Sequence, residues 1–187
     1  MKFSSYDIRV FDAFCEMADS CSSPREMSMQ KIADIMGISR QALNKVGYHK
    51  LDDILSPLHI YIDQDCWKKL ATYSENKGEQ PVNFFAHEII PLLYKKRRYL
   101  KTLYGSVADP SWLSYIEKRY SPILYPYLQG FINLFGFEKE FAAKIVIRYI
   151  LAILARWLQQ DISKTPEEFC NQFTELTNLS ITDMISG

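Results

Sequence analysis

The amino-acid sequence predicts an all-α fold with a helix-turn-helix near its N-terminus. Apolar residues recur at intervals of three and four along most of the chain, which is the spacing of amphipathic helices. The 187 residues include only 7 Gly and 8 Pro, too few for the many tight turns of an all-β domain. Hydrophobic residues make up 48% of the chain and aromatic residues 14%, enough for a substantial core.

The segment Met29–Val46 predicts the helix-turn-helix itself. Ala33 is small enough for the second helix to approach closely, and Gly37 can take the left-handed conformation that ends the first helix. Ser28 and Ser39 are typical N-cap residues for the two helices. An ordinary corner of two helices without a nucleic-acid role is the structural alternative. The apolar residues that support the motif are Ile32, Met36, Ile38, Leu43 and Val46.

Further helices are predicted on both sides of this motif. Residues 5–21 should form an amphipathic helix whose apolar face packs against the helix-turn-helix. Another helix begins near Leu51 and continues to Leu70, with Pro57 at a bend or in a restarted first turn.

The middle of the chain predicts a link and a kinked helix. Residues 75–80 are polar, and the helix that follows should run over 81–104 with a kink at Pro91. The basic run at 95–101 is typical of a solvated helix face, and a second phosphate contact is the alternative.

The chain from residue 109 onward predicts four more helical segments. The dipeptides at 109–110 and 121–122 each place a proline at the start of a helix, the second of which Gly136 ends. The helix over 137–162 is apolar around most of its circumference, so it needs partners on two sides. Residues 164–168 then have the pattern of a capped start for the last helix.

Charge and hydropathy bear on the binding partners and the cellular location that the sequence predicts. The formal net charge is zero, which gives no general support to nucleic-acid binding, but residues 40–50 contain Arg40, Lys45 and Lys50 and no acid. The N-terminus lacks a signal-peptide core, and the longest apolar run, 145–158, is shorter than the ~20 residues of a membrane helix. We therefore expect a cytoplasmic protein without membrane contact.

Nothing in the sequence supports an enzyme, a metal site or a cofactor. The histidines are scattered, and no HExxH motif, glycine-rich phosphate loop or nucleophile elbow occurs. His59 and Asp63 lie one helical turn apart, a spacing that is more often structural than metal-binding. The cysteines lack zinc-ligand spacing and are interpreted as reduced thiols in or near the core. They are Cys15, Cys21, Cys66 and Cys170.

The segment IADIMGISRQAL at 32–43, with one amphipathic helix before it and helical sequence after it, resembles the TetR family of transcriptional regulators. The segment RWLQQDISKTPEEF at 156–169 is similar to the tail helices of one branch of that family. The resemblance implies a DNA-binding domain at 1–55 and a helical domain at 56–187 that binds an effector and dimerises. Such proteins are usually repressors that act on a palindromic operator in double-stranded DNA.

Two positions depart from the family pattern. Asn44 stands where an aromatic residue is usual, and Gly47 lengthens the link before Tyr48, which matches the customary aromatic residue. In this alignment the usual lysine of the next helix corresponds to Leu51, so His49 or Lys50 would reach the phosphate instead.

Side chains of the second helix and its flanks have the chemistry of DNA contacts. Arg40, Gln41 and Asn44 lie on its outward side and suit base edges. Phosphate contacts suit Lys45, His49, Lys50 and residues 28–30. The residues predicted to contact DNA are Ser28, Met29, Gln30, Ser39, Arg40, Gln41, Asn44, Lys45, Tyr48, His49 and Lys50.

Aromatic residues between positions 84 and 135 predict a pocket for an uncharged or weakly polar small molecule. Tyrosine offers a polar tip within an apolar wall, although core packing is the alternative role for each residue. The predicted ligand-binding residues are Phe84, Tyr94, Tyr104, Trp112, Tyr115, Tyr125 and Phe131. The predicted homodimer interface consists of Ile147, Leu151, Leu154, Leu158, Phe169, Phe173 and Leu176.

The sequence therefore predicts a ligand-responsive transcriptional regulator. The alternative is a helical dimerisation or interaction module that has the same fold and has lost specific DNA readout. A neutral N-terminal segment, Asn44 and Gly47 are the features that favour this alternative.

Overall fold

The computed structural model describes residues 2–73, 80–105, 108–160 and 164–186, and every regular element in these ranges is helical. Except for Gln80, the predicted link at 75–80 lies outside the described residues. The α-helices are α1 Ser5–Ser20, α2 Met29–Met36, α3 Arg40–Lys45, α4 Asp52–Ala71, α5 Pro81–Phe84, α6 Ile90–Lys95, α7 Arg97–Tyr104, α8 Trp112–Leu124, α9 Gln129–Phe135, α10 Lys139–Leu158, α11 Pro166–Asn178 and α12 Ile181–Ser186. Single turns of 3₁₀-helix cover Pro24–Glu26 and Tyr125–Leu128, and a π-helical turn, here called the π turn, covers Phe85–Ile89.

The chain forms two compact units. The first consists of Met1–Asp109 and Lys164–Gly187, and the second of Pro110–Ser163. The boundary predicted at residue 55 falls inside α4, within the first unit. Within the described ranges, none of the helices has the length and apolar composition needed to cross a bilayer.

The N-terminal part of the first unit has a core of apolar side chains from α1 to α4. The expected packing of α1 against α2 is confirmed, and α1 also contacts α4 and α7. Helix α4 continues through Pro57. The largest side chains that are almost completely buried here are Phe11, Phe14, Met17, Ile32, Leu43, Ile54, Leu58 and Ile62.

Another cluster joins α4 to the π turn and α11. Cys66, Phe84 and Ile89 form its buried centre. Helix α11 packs against α5, the π turn and α6, and the rings of Phe85 and Phe173 stack with centroids 5.4 Å apart. Helix α11 therefore covers the place where the chain departs from regular α-helical geometry.

Helix α7 is attached to α1 by polar contacts, here called the α7–α1 contacts. Arg98 Nη1 and the Tyr99 hydroxyl both donate to Oδ1 of Asp12, over 3.0 and 2.8 Å. One turn later, the Thr102 hydroxyl donates to Oδ1 of Asp19 over 3.0 Å. Arg98 is solvated as the basic run predicts, with 58% of its side chain exposed, and it also forms an ion pair with Asp12.

The second unit consists of α8, α9 and α10, which contact one another directly or through the 3₁₀ turn. The predicted helix start at 121–122 is wrong, because α8 continues through Pro122 to Leu124. The Ser121 hydroxyl is buried and donates to the Glu117 carbonyl, so it caps no new helix. Gly136 ends α9 as predicted, in the left-handed conformation.

The residues predicted for the dimer interface are largely buried within the single chain. Ile147, Leu151, Leu158 and Phe169 are at most 8% exposed. Leu176 is half-buried. Leu154 and Phe173 are 1% exposed, so the prediction that they point outward is wrong.

Helix α10 presents a different set of apolar side chains to the outside. Phe141, Ile145 and Tyr149, here called the α10 stripe, are 51%, 46% and 36% exposed. Their spacing of four residues places them along one side of the helix. The helix that the sequence shows as apolar all round therefore has one buried face and one exposed apolar face.

Candidate nucleic-acid interface

The first helix of the helix-turn-helix has satisfied backbone groups at both ends. The Ser28 hydroxyl accepts from the Lys31 N–H over 3.3 Å. Gly37 is left-handed, with φ 69°, and donates to the Asp34 carbonyl, while Ile38 donates to the Ala33 carbonyl, each over 3.0 Å. This pair of bonds is the Schellman motif, which turns the chain sharply after two turns of helix.

The second helix ends in the same way. Gly47 is left-handed, with φ 96°, and its N–H donates to the Asn44 carbonyl over 3.1 Å. The Tyr48 N–H reaches back to the Leu43 carbonyl, also over 3.1 Å. Gly47, which the sequence places as an extra residue in the link, therefore supplies the backbone conformation that ends α3. The cap of α3 is as predicted, with the Ser39 hydroxyl accepting from the Ala42 N–H over 3.2 Å.

Tyr48 connects the end of α3 to the start of α1. It is buried, and its hydroxyl donates to Oδ1 of Asp7 over 2.6 Å. The other oxygen of Asp7 accepts from the backbone N–H and the hydroxyl of Ser4, each over 2.8 Å, in the capping box of α1. Burial opposes ionisation of Asp7, but the hydrogen bonds from Tyr48 and Ser4 outweigh it and lower the pKa of Asp7.

The structure brings most of the predicted DNA contacts to one exposed part of the chain. Ser28 and Asn44 are half-buried. The prediction that Met29 and Tyr48 contact DNA is wrong, because both side chains are buried in the core and cannot reach a nucleic acid. The exposed residues of the predicted set are Gln30, Ser39, Arg40, Gln41, Lys45, His49 and Lys50.

The link after α3 is held by the first turn of α4. Oδ2 of Asp53 accepts from the backbone N–H groups of His49 and Lys50, over 2.8 and 3.0 Å. These bonds lower the pKa of Asp53 and fix the direction in which both side chains leave the backbone. The Lys50 ammonium lies 3.4 Å from Asp52 in an exposed ion pair, which binding to a phosphate would have to replace.

Asn44 has an unusual environment for a residue that is predicted to contact DNA. Its carboxamide oxygen is buried and accepts no hydrogen bond from the described residues. A buried acceptor without a donor costs about 1 to 3 kcal/mol. Rotation of the side chain toward a donor that approaches α3 would therefore be energetically favourable.

Sequence reasoning missed Asp7 and Asp53, which position the surface without belonging to it. An acid in the first turn of a helix is a recognisable signal, and both residues occupy such positions. The partner of Asp7 could not be identified in that way, since Tyr48 is 41 positions away.

The predicted ligand-binding residues are divided between the two compact units. Phe84, Tyr94 and Tyr104 belong to the first unit, where Phe84 is buried against Tyr73 with ring centroids 4.5 Å apart. The second unit contains the others, which are Trp112, Tyr115, Tyr125 and Phe131. The Trp112 and Tyr115 rings stack at 5.8 Å, whereas Phe131 is 40% exposed and contacts Phe135 and Phe137.

Buried ionisable groups of the first unit form contacts that suit structural roles. His59 and Asp63 are both buried, and His59 Nε2 is hydrogen-bonded to the buried Asp109 carboxylate. In the part of the chain that the structure describes, no three metal-ligating side chains are grouped to hold an ion. The four cysteines are free and buried, and burial raises the pKa of Cys15 and Cys66 to about 12.

Comparison of the chain with protein-family models, with characterised proteins and with solved structures finds no match.

We expect Tyr48→Phe to lower the free energy of unfolding by about 1 to 2 kcal/mol at neutral pH, because the Asp7 carboxylate loses a donor. Asp7 titrates below its ordinary pKa of 3.8 in the native state. The stabilisation is therefore present above that value and is lost as the pH falls through the lowered native pKa. Urea unfolding of both proteins from neutral pH down to about pH 3 measures the difference.

Tyr6→Phe is the matched control, since it removes from α1 a hydroxyl that makes none of the hydrogen bonds described above. An equal loss of stability in both variants, or a Tyr48 effect that does not shrink in acid, would contradict the role given to the Asp7 carboxylate.

Proposed function

We propose that this chain is a homodimeric DNA-binding transcriptional regulator of the TetR type. It acts as a repressor that leaves or rearranges on its operator when a small apolar or weakly polar effector binds. The observation that carries the proposal is the exposed face of α3, where Arg40, Gln41 and Lys45 project from a helix held at both ends. Forked donors and acceptors at these positions suit base edges in a major groove.

Charge and rigidity around α3 support this reading. No acidic residue lies between Asp34 and Asp52, so α3 and the turns on either side of it carry only positive and neutral side chains. Both ends of α3 are capped, and the Tyr48–Asp7 hydrogen bond joins the link after α3 to α1 in the free protein. A preorganised surface loses less entropy on binding than a mobile one.

The alternative function is a helical interaction module without specific DNA readout. The Lys50–Asp52 ion pair and the inward-facing carboxamide oxygen of Asn44 favour it, because both withdraw polar groups from a phosphate or base. The two functions differ in salt dependence, since each phosphate neutralised contributes about −0.9 to the slope of log K against log salt. A module without DNA function would give no enriched sites and no operator-specific complex.

Self-association is proposed through the α10 stripe. The stripe continues into exposed rings at the N-terminal side of α10, where the Phe137 and Phe141 centroids lie 5.1 Å apart. Phe131 and Phe135 extend the same apolar surface. A contiguous exposed surface of this kind is typical of an interaction site. A two-fold dimer would place two α3 helices on a palindromic operator.

The effector is proposed to bind among the partly buried aromatic side chains. Within the second unit, Tyr115 and Tyr125 are half-buried, so each combines an apolar ring with a polar tip that solvent or a ligand can reach. Coupling requires only that the effector and the operator prefer different conformers of the protein.

Arg40→Ala should weaken binding to a selected operator about 5- to 150-fold, the equivalent of about 1 to 3 kcal/mol for a lost base contact. The operator is first obtained by selecting sites from random duplex DNA with the purified protein. Lys118→Ala is the control, because it removes an exposed positive charge from α8 instead. Equal binding by the Arg40 variant and the parent would remove Arg40 from the reading surface.

Ile145→Glu should convert a dimer into monomers at micromolar concentration, because it places a charge at the centre of the α10 stripe. Sedimentation equilibrium measures the change. Leu113→Glu, on α8 and 43% exposed, is the matched control and should leave the dimer intact. A parent protein that is monomeric at that concentration would refute the dimer, and dimers of the Ile145 variant would refute this location.

A screen of uncharged aromatic compounds should yield molecules that both raise the thermal stability and change the affinity for the operator. Linkage requires the two effects to be reciprocal, so the operator must alter compound affinity by the same factor. Compounds that stabilise the protein without changing DNA affinity would be ligands but not effectors. A screen without any stabilising compound would leave a regulator that needs another signal.

A further inference from the structure

The π turn at Phe85–Ile89 has a specific cause in the sequence. Proline has no N–H, so Pro91 cannot donate to a carbonyl one turn earlier. The Ile90 N–H donates to Phe85, five residues back, instead of to Ala86, four residues back. The Ala86 carbonyl therefore has no donor from its own helix at the α-helical or the π-helical spacing. The Ile90 N–H, four residues on, donates to Phe85, and Pro91, five residues on, has no N–H.

A side chain from another helix supplies the missing donor. The Cys170 thiol of α11 donates to the Ala86 carbonyl, with Sγ and O 2.9 Å apart. Both residues are buried, so no water replaces this bond at low cost. Burial and the nearby Glu167 raise the pKa of Cys170, which keeps the thiol protonated and able to donate.

The segment that follows the π turn contains α6 and α7, and α7 contacts α1. Helix α6 begins at Ile90 and α7 at Arg97, with a short turn at Lys96 between them. The α7–α1 contacts then join Arg98 and Tyr99 to Asp12. A change in the π turn must therefore either move α1 or break those contacts.

We propose that the π turn is a hinge, closed by the Cys170 thiol, that sets the position of α6–α7 and through it the position of α1 beside the helix-turn-helix. Regaining α-helical geometry shifts the register by one residue, which rotates the following helix by roughly 100° and moves it by about 1.5 Å. Single π turns of this kind occur frequently at functional sites. The consequence for DNA binding rests on the proposed function, whereas the hinge itself does not.

A double-mutant cycle of Cys170→Ala and Pro91→Ala tests the hinge. Alanine at position 91 returns an N–H to the helix, so the Ala86 carbonyl no longer depends on the thiol. Cys170→Ala should raise the equilibrium constant for unfolding in both backgrounds. We expect the increase to be about fivefold larger in the parent than in the Pro91→Ala protein, because only the parent loses the hydrogen bond to Ala86. Urea unfolding of the four proteins measures the coupling.

Cys21→Ala is the control for the cycle, since it removes another buried thiol, next to α1, and should act additively with Pro91→Ala. Equal effects of Cys170→Ala in both backgrounds would mean that the side chain only fills space, and would overturn the proposal.

Amide hydrogen exchange tests whether the hinge acts on α1. In Cys170→Ala, exchange should accelerate at 90–104 and in α1, while α10 keeps the parent's rates. Acceleration confined to α11 would overturn the link to α1. If the parent also binds a selected operator, Cys170→Ala should change that affinity at least about threefold, and unchanged affinity would overturn the regulatory role. Absence of DNA binding by the parent would count against the proposed function, while the cycle and the exchange rates would still decide the hinge.

Discussion

The fold depends on one constraint: backbone groups left over where a helix ends or departs from α-geometry must find partners. Helix α2 has eight residues and α3 has six, so most of their peptide groups belong to an end. Helices this short are not stable by propensity alone. Their geometry is set by a hydroxyl at one end and a left-handed glycine at the other. The same constraint explains why the Cys170 thiol donates to the Ala86 carbonyl. Pro91 has no N–H, so this carbonyl lacks a donor from its own helix.

Because these partners are close in sequence, much of the fold could be predicted from residue types alone. Ser28, Ser39 and Gly37 were identified as the caps and the turn of the helix-turn-helix, and the structure places them so. Thr165 begins α11 in the predicted way, through a capping box with Glu168. Ser121 shows the limit of such local signals. It has the same chemistry before a proline, but its hydroxyl binds a carbonyl of the preceding turn and the helix continues.

The errors concern contacts between distant residues. Tyr48 was predicted to contact DNA, yet it is buried and its hydroxyl donates to Asp7. Arg98 is exposed as the basic run predicts, but the sequence could not identify its partner Asp12, which is 86 positions away. The apolar circumference of α10 could not reveal which side its own chain buries, and Leu154 was assigned to the outside although Ile145 lies there. Periodicity predicts that a face is apolar, but only packing decides what covers it.

The position of Asp12 makes α1 more than a support for the helix-turn-helix. One carboxylate oxygen accepts from both Arg98 and Tyr99, and burial together with this hydrogen bond raises the pKa of Tyr99, so the phenol remains a donor at neutral pH. Bonds to a charged acceptor are stronger than those between neutral groups, and losing both donors would leave a partly buried carboxylate uncompensated. Breaking the contacts therefore costs free energy, which couples a movement of α7 to α1. Since α1 packs directly on α2, a displacement that begins in α6 or α7 has a continuous path of packed and hydrogen-bonded groups to the helix-turn-helix.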